Sequence, residues 1–242
     1  MKRILLSLSI IGVVSAIAIG GTMAYFGDTE TSTGNTFTAG SIDLKIDLRC
    51  KESGCYFPLK DLDGDPFFHY CDLKPGDSEE VTISWHVYDN NAWARMKIAD
   101  FHDYEYGCTE PEEESGDTTC NTPGDGEGEL DEHLYFTIWL DEGSIAGWQC
   151  PENQPGCGDD PQEGDNELNG IETKIVDNVP LSELIVDDWI VFPKEIEASK
   201  THYVGVKWEI PSDTGNIIQT DSLTGKIVIE VVQSKNNPNP WQ

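Results

Sequence analysis

The alternation of apolar and polar residues is the feature of this sequence that most restricts its fold. In residues 42–48 every second residue is Ile or Leu, and those between them are Asp or Lys. A period of two places successive side chains on opposite faces of a β-strand, so residues 41–48 are predicted to form a strand with one buried face. The same period recurs at Val81, Ile83, Trp85 and Val87, at Leu134, Phe136, Ile138 and Leu140, and at Val204, Val206, Trp208 and Ile210. Residues 94–101 and 226–232 predict a weaker strand and a final β-branched strand.

Turn residues separate these predicted strands, and no long helical pattern lies between them. Examples are Pro75-Gly76-Asp77 and residues 211–215. Strands without intervening long helices favour antiparallel sheets packed face to face. We therefore predict an all-β fold, an antiparallel β-sandwich formed by residues 41–235 as a single domain, with one short helical turn at 181–184. Residues 236–242 are predicted to form a flexible tail.

The N-terminus has the pattern of a secretory signal peptide. A positively charged start, MKR, precedes an apolar run over residues 4–19. The run is shorter than the roughly 20 residues that cross a bilayer as a helix. Small residues follow it, and Thr22 and Ala24 fit the subsites of a signal peptidase. Residues 1–24 are therefore predicted to be removed by cleavage between Ala24 and Tyr25, with an uncleaved N-terminal anchor as the alternative.

Four short motifs are spaced along the chain. They are AYFGDTE at residues 24–30, GNTFTAGSIDL at 34–44, LKPGD at 73–77 and QTDSL at 219–223. In kind and order these motifs resemble the TasA and camelysin family, exported matrix proteins of bacteria and archaea with a SipW-type signal peptide. The resemblance implies a jelly-roll sandwich and a location outside the cell or on its surface. It leaves residues 102–170 without a counterpart.

Residues 25–40 have too few apolar side chains to fold alone. They begin with Tyr25 and Phe26, continue with threonine and serine, and contain Phe37. In the family this looks like a donor segment, which adds as a strand to the sheet of the next subunit. The expected partners are therefore further copies of the chain, joined head to tail, and other matrix proteins. The alternatives are that the segment folds back on its own sandwich or stays mobile.

The formal net charge of −30 restricts the partners of the chain. Nucleic acid is bound by clustered Lys and Arg, so a surface this acidic excludes it as an expected partner, and the same argument applies to anionic membranes. Residues 102–170 hold 20 Asp and Glu and no Lys or Arg. This acidic insert is predicted to form long loops, and its plainest interpretation is a solvated surface that keeps the protein soluble.

The seven cysteines are expected to be oxidised in an exported chain. Two predicted disulfides close short local loops and staple the acidic insert, Cys108 with Cys120 and Cys150 with Cys157. Among Cys50, Cys55 and Cys71 one further bridge is possible, and the sequence leaves its partners open.

Two acidic clusters are candidates for calcium, which takes hard oxygen ligands. The first has alternate carboxylates and a fourth where a twelve-residue calcium loop places its last ligand: Asp61, Asp63, Asp65 and Asp72. Pro66 occupies the position where that loop needs glycine, and the flanking helices of an EF-hand are not predicted. The second cluster alternates with Gly and Leu and fits no named loop: Asp125, Glu127, Glu129 and Asp131.

The camelysin branch of the family carries a metallopeptidase label, so a zinc site has to be considered. The histidines are His69, His86, His102, His133 and His202. They form no His-Glu-x-x-His or other paired spacing on a helix. His86 and His202 fall on the polar faces of predicted strands, where a histidine is expected to face solvent. The sequence therefore predicts no catalytic residue and no enzymatic activity.

These observations favour a secreted structural protein that builds extracellular fibres or biofilm matrix. Calcium is the one cofactor that the sequence suggests. Two alternatives stay open, a secreted metalloendopeptidase of the camelysin type and a monomeric calcium-binding surface module.

Overall fold

Antiparallel β-sheets packed against each other form most of the structure. The computed structural model describes residues 42–62, 64, 66, 68–144, 150–151, 162–170, 172–185 and 189–241. The described strands are β1 (Asp43–Cys50), β2 (Tyr56–Lys60), β3 (Ser78–Tyr88), β4 (Ala92–Glu105), β5 (Gly124–Asp125), β6 (Tyr135–Leu140), β7 (Cys150–Pro151), β8 (Thr173–Pro180), β9 (Ile190–Val191), β10 (Lys200–Glu209) and β11 (Ser222–Gln233). The described helices are α1 (Glu110–Ser115), α2 (Leu130–His133) and α3 (Leu181–Ile185), and none of them is long and apolar enough to cross a membrane.

The larger sheet has the strand order β2-β1-β3-β10-β6-β8, and β7 also pairs with β10. The central strands β3 and β10 are antiparallel and pair from His86–Thr201 to Ser78–Glu209. The sequence pattern at residues 134–140 corresponds to β6, which begins one residue later than predicted. Three of the predicted strands therefore lie side by side, with β10 between β3 and β6.

The smaller sheet consists mainly of two long strands. β4 and β11 pair antiparallel from Tyr104–Ser222 to Ala92–Gln233, with an irregularity between Thr224 and Lys226. The two-residue strands β5 and β9 also pair with β4, β5 at Tyr104 and Glu105 and β9 at Arg95 and Met96. In the part of the chain that the structure describes, β4 is the one strand with which β11 pairs.

Alternate residues of β3 form the centre of the apolar core, as the sequence pattern predicted. Val81, Ile83, Trp85 and Val87 are each at most 1 % exposed. Phe192 packs against Trp85, with 4.4 Å between the ring centroids. Full burial of side chains of this size stabilises the folded state by about 1.5–3 kcal/mol each. The all-β, antiparallel class is confirmed, and the jelly-roll topology stays a prediction.

The polar face of β3 is also buried, which the alternation did not predict. Thr82, Ser84 and His86 lie on this face and are all buried. The hydroxyl of Thr82 donates to Oδ1 of Asn166 at 2.8 Å and approaches Oδ2 of Asp141 at 3.3 Å. Residues distant in sequence therefore cover the face that a strand pattern assigns to solvent.

The expectation that His86 and His202 face solvent is wrong. His202 is fully buried, and its Nε2 accepts a hydrogen bond of 2.9 Å from the backbone N–H of Glu197. Burial lowers the pKa of His202 to about 3. This imidazole is therefore neutral at physiological pH and belongs to the core.

The acidic insert contains the end of β4, the helices α1 and α2, and β6. Several of its acids are buried: Asp103, Glu105, Glu112, Asp117, Asp141 and Glu142. The interpretation of the insert as a solvated surface is wrong for these residues. They require an explanation other than solubility, because an ionised carboxylate is costly to bury without a partner.

The last described residues contact β4. The indole N–H of Trp93 donates to the backbone oxygen of Asn237 at 2.9 Å. The guanidinium of Arg95 lies 4.5 Å from the ring centroid of Trp241. These contacts hold the predicted tail against the smaller sheet.

Trp139 on β6 packs directly over Gly205 on β10. A Cβ atom at position 205 would lie 2.0 Å from Cε2 of Trp139, so the buried ring would have to move. We predict that Gly205→Ala lowers the free energy of unfolding by about 1–3 kcal/mol, the usual cost of overpacking. Urea denaturation measures the change. Gly170→Ala is the control, because a Cβ there meets nothing within 4 Å, and an equal loss of stability in both variants would contradict the prediction.

Candidate functional site

An apolar groove lies between the two sheets. Its volume is about 1210 Å³, whereas voids in a close-packed core are seldom larger than a water molecule. Half-buried side chains line it, including Ile98 and Phe101 on β4, Ile227 on β11 and Phe136 on β6. The two layers therefore leave apolar surface between them without a close-packed partner.

Strand β11 borders this groove. Residues 222–228 of β11 line the groove, and the far edge of the strand has no partner in the described part of the chain. Backbone N–H and C=O groups at such an edge readily pair with another strand. The groove and the edge together can accept an added extended segment, with side chains in the groove and backbone hydrogen bonds along β11.

Five carboxylates come together at one end of the smaller sheet. Glu105 is the last residue of β4 and Asp221 directly precedes β11, and the pairing of Tyr104 with Ser222 brings these two acids close. The other three come from α1 and from the segments that follow it. The carboxylate cluster consists of Glu105, Glu112, Asp117, Glu129 and Asp221.

Local sequence signals fix helix α1 beside this cluster. The hydroxyl of Thr109 accepts from the backbone N–H of Glu112, whose carboxylate accepts from the backbone N–H of Thr109 at 2.6 Å. This reciprocal capping box begins the helix. Gly116, with a φ of 93°, ends it in the left-handed conformation that favours glycine. The disulfide between Cys108 and Cys120 closes the loop around the helix.

The carboxylate oxygens of the cluster lie close to one another. Glu105, Glu112 and Asp221 each place an oxygen within 4.8 Å of the other two, and Glu105, Asp117 and Glu129 do the same. Glu105 therefore belongs to both groups. Exposure is 2 % for Glu105, 0 % for Glu112 and 6 % for Asp117, so water screens the charges poorly.

In every member of the cluster except Glu112, hydrogen bonds hold one carboxylate oxygen and leave the other without a donor among the described residues. Oε1 of Glu105 accepts from the backbone N–H of Gly107 at 2.7 Å. Oδ1 of Asp117 accepts from the backbone N–H of Thr119 at 2.7 Å, and Oε1 of Glu129 accepts from the hydroxyl of Thr119 at 2.6 Å. Four oxygens of the cluster are buried and have no hydrogen-bond partner in the described part of the chain: Oε2 of Glu105, Oδ2 of Asp117, Oε2 of Glu129 and Oδ1 of Asp221.

The electrostatics of the cluster favour a proton or a cation. The sequence has no Lys or Arg between positions 97 and 174 to offset these acids. Burial raises the pKa of Asp221 to about 8, and the charges of Glu105 and Glu129 act in the same direction. Burial also raises the pKa of Glu129. Beside the cluster, burial and then the charge of Asp131 raise the pKa of Asp103 to about 7.

The first predicted calcium cluster is only partly covered by the structure. Asp61 and Asp72 are exposed, and the carboxylate of Asp72 pairs with the ammonium of Lys74 at 2.5 Å. Asp63 and Asp65 lie outside the described residues. Calcium binding at this loop stays a prediction.

The four acids of the second predicted cluster have separate surroundings. Asp125 is exposed, and its carboxylate contacts Nδ1 of His102 at 2.8 Å. Glu129 belongs to the carboxylate cluster. Asp131 interacts with Asp103. Glu127 belongs to neither of the two groups of three carboxylates that form the cluster. The spacing of acids in the sequence therefore identified only Glu129 among the five acids of the carboxylate cluster.

Sequence reasoning missed the remaining members, Glu105, Glu112, Asp117 and Asp221. Long-range pairing of β4 with β11 brings them together, and no local spacing encodes that pairing. Two signals were nevertheless present. Asp221 lies within the QTDSL motif, and Thr109 with Glu112 has the spacing of a capping box.

The structure contains two disulfides among the described cysteines. Cys108 is bonded to Cys120, and Cys50 is bonded to Cys55. Cys71, the third member of the N-terminal group, is free and exposed. The side chain of Cys150 and all of Cys157 lie outside the described residues, as do Ala24, Tyr25, Phe26 and Phe37.

The fold and the site define an acidic β-sandwich protein with an open groove between its sheets. Residues 2–80, about a third of the chain, match the sequence model of the family described as camelysin metallo-endopeptidase. This match confirms the resemblance to TasA and camelysin that the motifs predicted. β11 and the carboxylate cluster lie outside the matched region. No curated protein matches the chain.

Asp221 provides a test of repulsion in the carboxylate cluster. Its pKa rises from 3.8 to about 8 on folding, so the folded protein binds more protons than the unfolded one between these values. Stability therefore declines as the pH rises through this window. We predict that chelator-treated protein loses several degrees of melting temperature between about pH 5 and about pH 8.

Asp221→Asn should reduce the loss of melting temperature with rising pH, because it removes the charge. It keeps an oxygen that can accept from the backbone N–H of Glu129, which donates to Oδ2 of Asp221 at 2.8 Å in the unaltered protein. The exposed Glu114→Gln is the control, and it should retain the slope of the unaltered protein. A slope unchanged by Asp221→Asn would contradict the assignment.

Proposed function

We propose that this chain is an exported structural protein that forms extracellular fibres or biofilm matrix. Each subunit inserts residues 25–40 into the groove of the next and adds a strand beside β11. The match of residues 2–80 to the camelysin family supports the exported, TasA-like character. The apolar groove beside the unpaired edge of β11 is the single observation that carries the assembly mechanism.

The chemistry of the groove suits the proposed donor. Strand addition gains affinity from main-chain hydrogen bonds, and pockets for alternate side chains supply specificity. Ile98, Phe101 and Phe136 offer an apolar and aromatic lining, to which Phe26 and Phe37 of the donor are complementary. Threonine and serine between these aromatics favour an extended strand and can face solvent.

The position of the donor segment allows it to reach another subunit. It is separated from β1 by two residues, and its sixteen residues span roughly 50 Å when extended. Because every subunit gives one strand and receives one, the contact is head to tail and does not close on itself. Open growth of this kind produces a filament.

Removal of the donor segment tests this proposal. We expect protein that begins at Tyr25 to polymerise, whereas protein that begins at Ser41 stays monomeric because it can receive a strand but not give one. Light scattering and electron microscopy measure the difference. Equal fibre formation by both proteins would contradict the mechanism.

A peptide of residues 25–40 separates strand donation between subunits from folding back within one subunit. The peptide should bind protein that begins at Ser41, raise its melting temperature and, in excess, terminate fibres of the longer protein. The same peptide with Phe26→Ser and Phe37→Ser is the matched control and should do neither. If the segment folds back on its own sandwich, the longer protein will remain monomeric and the shorter one will be less stable.

A metallo-endopeptidase is the second candidate, because the matched family carries that description. Peptidase zinc sites use histidine with carboxylate ligands and an open position for water. The described groups that could hold a metal contain carboxylates alone. We therefore expect no chelator-sensitive cleavage of casein by the purified protein, and zinc-dependent cleavage that is lost in a histidine variant would reverse this assignment.

A further inference from the structure

We propose that the carboxylate cluster binds calcium through Glu105, Glu112, Asp117, Glu129 and Asp221. The site differs from both calcium clusters predicted from sequence spacing and shares only Glu129 with them. Its ligands come from the end of β4, from α1, from the segment between α1 and α2, and from the residue before β11. The proposal is independent of fibre formation.

The unsatisfied oxygens distinguish a cation site from an ordinary acidic surface. Glu105 and Asp117 are both more than nine-tenths buried, and each has one carboxylate oxygen that receives no hydrogen bond from any residue the structure describes. Glu129 and Asp221 contribute two further buried oxygens of the same kind. A shared proton can join one pair of carboxylate oxygens, so it leaves other members of the cluster without a partner. A cation can be coordinated by all of them at once.

The donor atoms select the type of cation. Every described ligand is a carboxylate oxygen, and no histidine nitrogen or thiolate belongs to either group. Calcium takes six to eight oxygen ligands in flexible geometry, whereas zinc favours nitrogen and sulfur, and magnesium keeps several of its waters. Because Glu105 belongs to both groups of three carboxylates, it can bridge two ions. The number of calcium ions bound per chain is measured by titration.

Surrounding hydrogen bonds preorganise these ligands. The backbone N–H groups of Thr119 and Cys120 hold one oxygen of Asp117 at 2.7 and 3.0 Å and leave the other available. The backbone N–H of Glu129 holds Asp221 in the same way. Donors of this kind orient ligands, and their loss commonly weakens metal binding by 10–100-fold.

Calorimetric titration of the purified, chelator-treated protein with calcium chloride tests the proposal. We expect saturable binding, a higher melting temperature with calcium, and a weaker response to magnesium at equal concentration. Absence of saturable calcium binding would overturn the proposal. So would a melting temperature that is the same with calcium as with chelator.

Two variants on helix α1 form a matched pair for this experiment. Glu112→Gln removes a ligand charge but keeps an oxygen for the capping bond to Thr109, and we expect it to weaken calcium binding by roughly tenfold or more. Glu114→Gln removes an exposed charge from the same helix and should bind calcium as the unaltered protein does.

The melting temperature without calcium excludes misfolding as the cause of weak binding. Glu112→Gln relieves repulsion within the cluster, so the chelator-treated variant should melt at or above the temperature of the unaltered protein. Asp221→Asn should behave in the same way and provides a second ligand variant. Calcium affinities that are equal in Glu112→Gln, Asp221→Asn and the unaltered protein would show that the ions bind elsewhere.

Discussion

The arrangement of this fold follows from how its larger sheet is covered. A sheet with an apolar face needs a second layer to bury it. In the portion of the chain that the structure describes, a seven-stranded sheet faces a four-stranded one, in which β5 and β9 are only two residues long. β4 and β11 therefore provide most of the second layer, and they leave a groove beside the edge of β11. An incomplete layer of this kind gives an added strand a physical reason to bind.

Charge imposes a second constraint, because the acidic insert, which carries 20 of the 45 Asp and Glu, also has to pack. The insert has no basic residue, so its buried carboxylates cannot form ion pairs within it. The fold supplies backbone N–H donors instead at Glu105 and Asp117, and it pairs Glu142 with Lys194, which lies outside the insert. At Glu105 and Asp117 these donors reach one oxygen of the carboxylate and leave its negative charge in place. Protons or cations have to supply the remaining neutralisation.

The alternation of apolar and polar residues predicted the strands that have one apolar face. It predicted poorly the strands with adjacent apolar residues and the strands whose polar face is also buried. β8 has adjacent apolar residues, Ile175 and Val176, and its register with β6 is irregular, so no period of two marks it. Thr82 and His86 alternate as a solvent-facing surface would, yet distant residues bury them. The carboxylate cluster was beyond local patterns, because residues as far apart as Glu105 and Asp221 meet only through strand pairing.

The carboxylate cluster and the groove depend on the same pair of strands. Glu105 and Asp221 flank the pairing of Tyr104 with Ser222, where β4 and β11 come together, and Thr220 and Asp221 also line the groove. Repulsion among the buried acids opposes this end of the strand pair, whereas a bound cation draws the two strands together. Neutralisation of the cluster therefore stabilises the strand whose free edge is proposed to receive the neighbouring subunit. The two proposals rest on separate observations, but both act on the stability of β11.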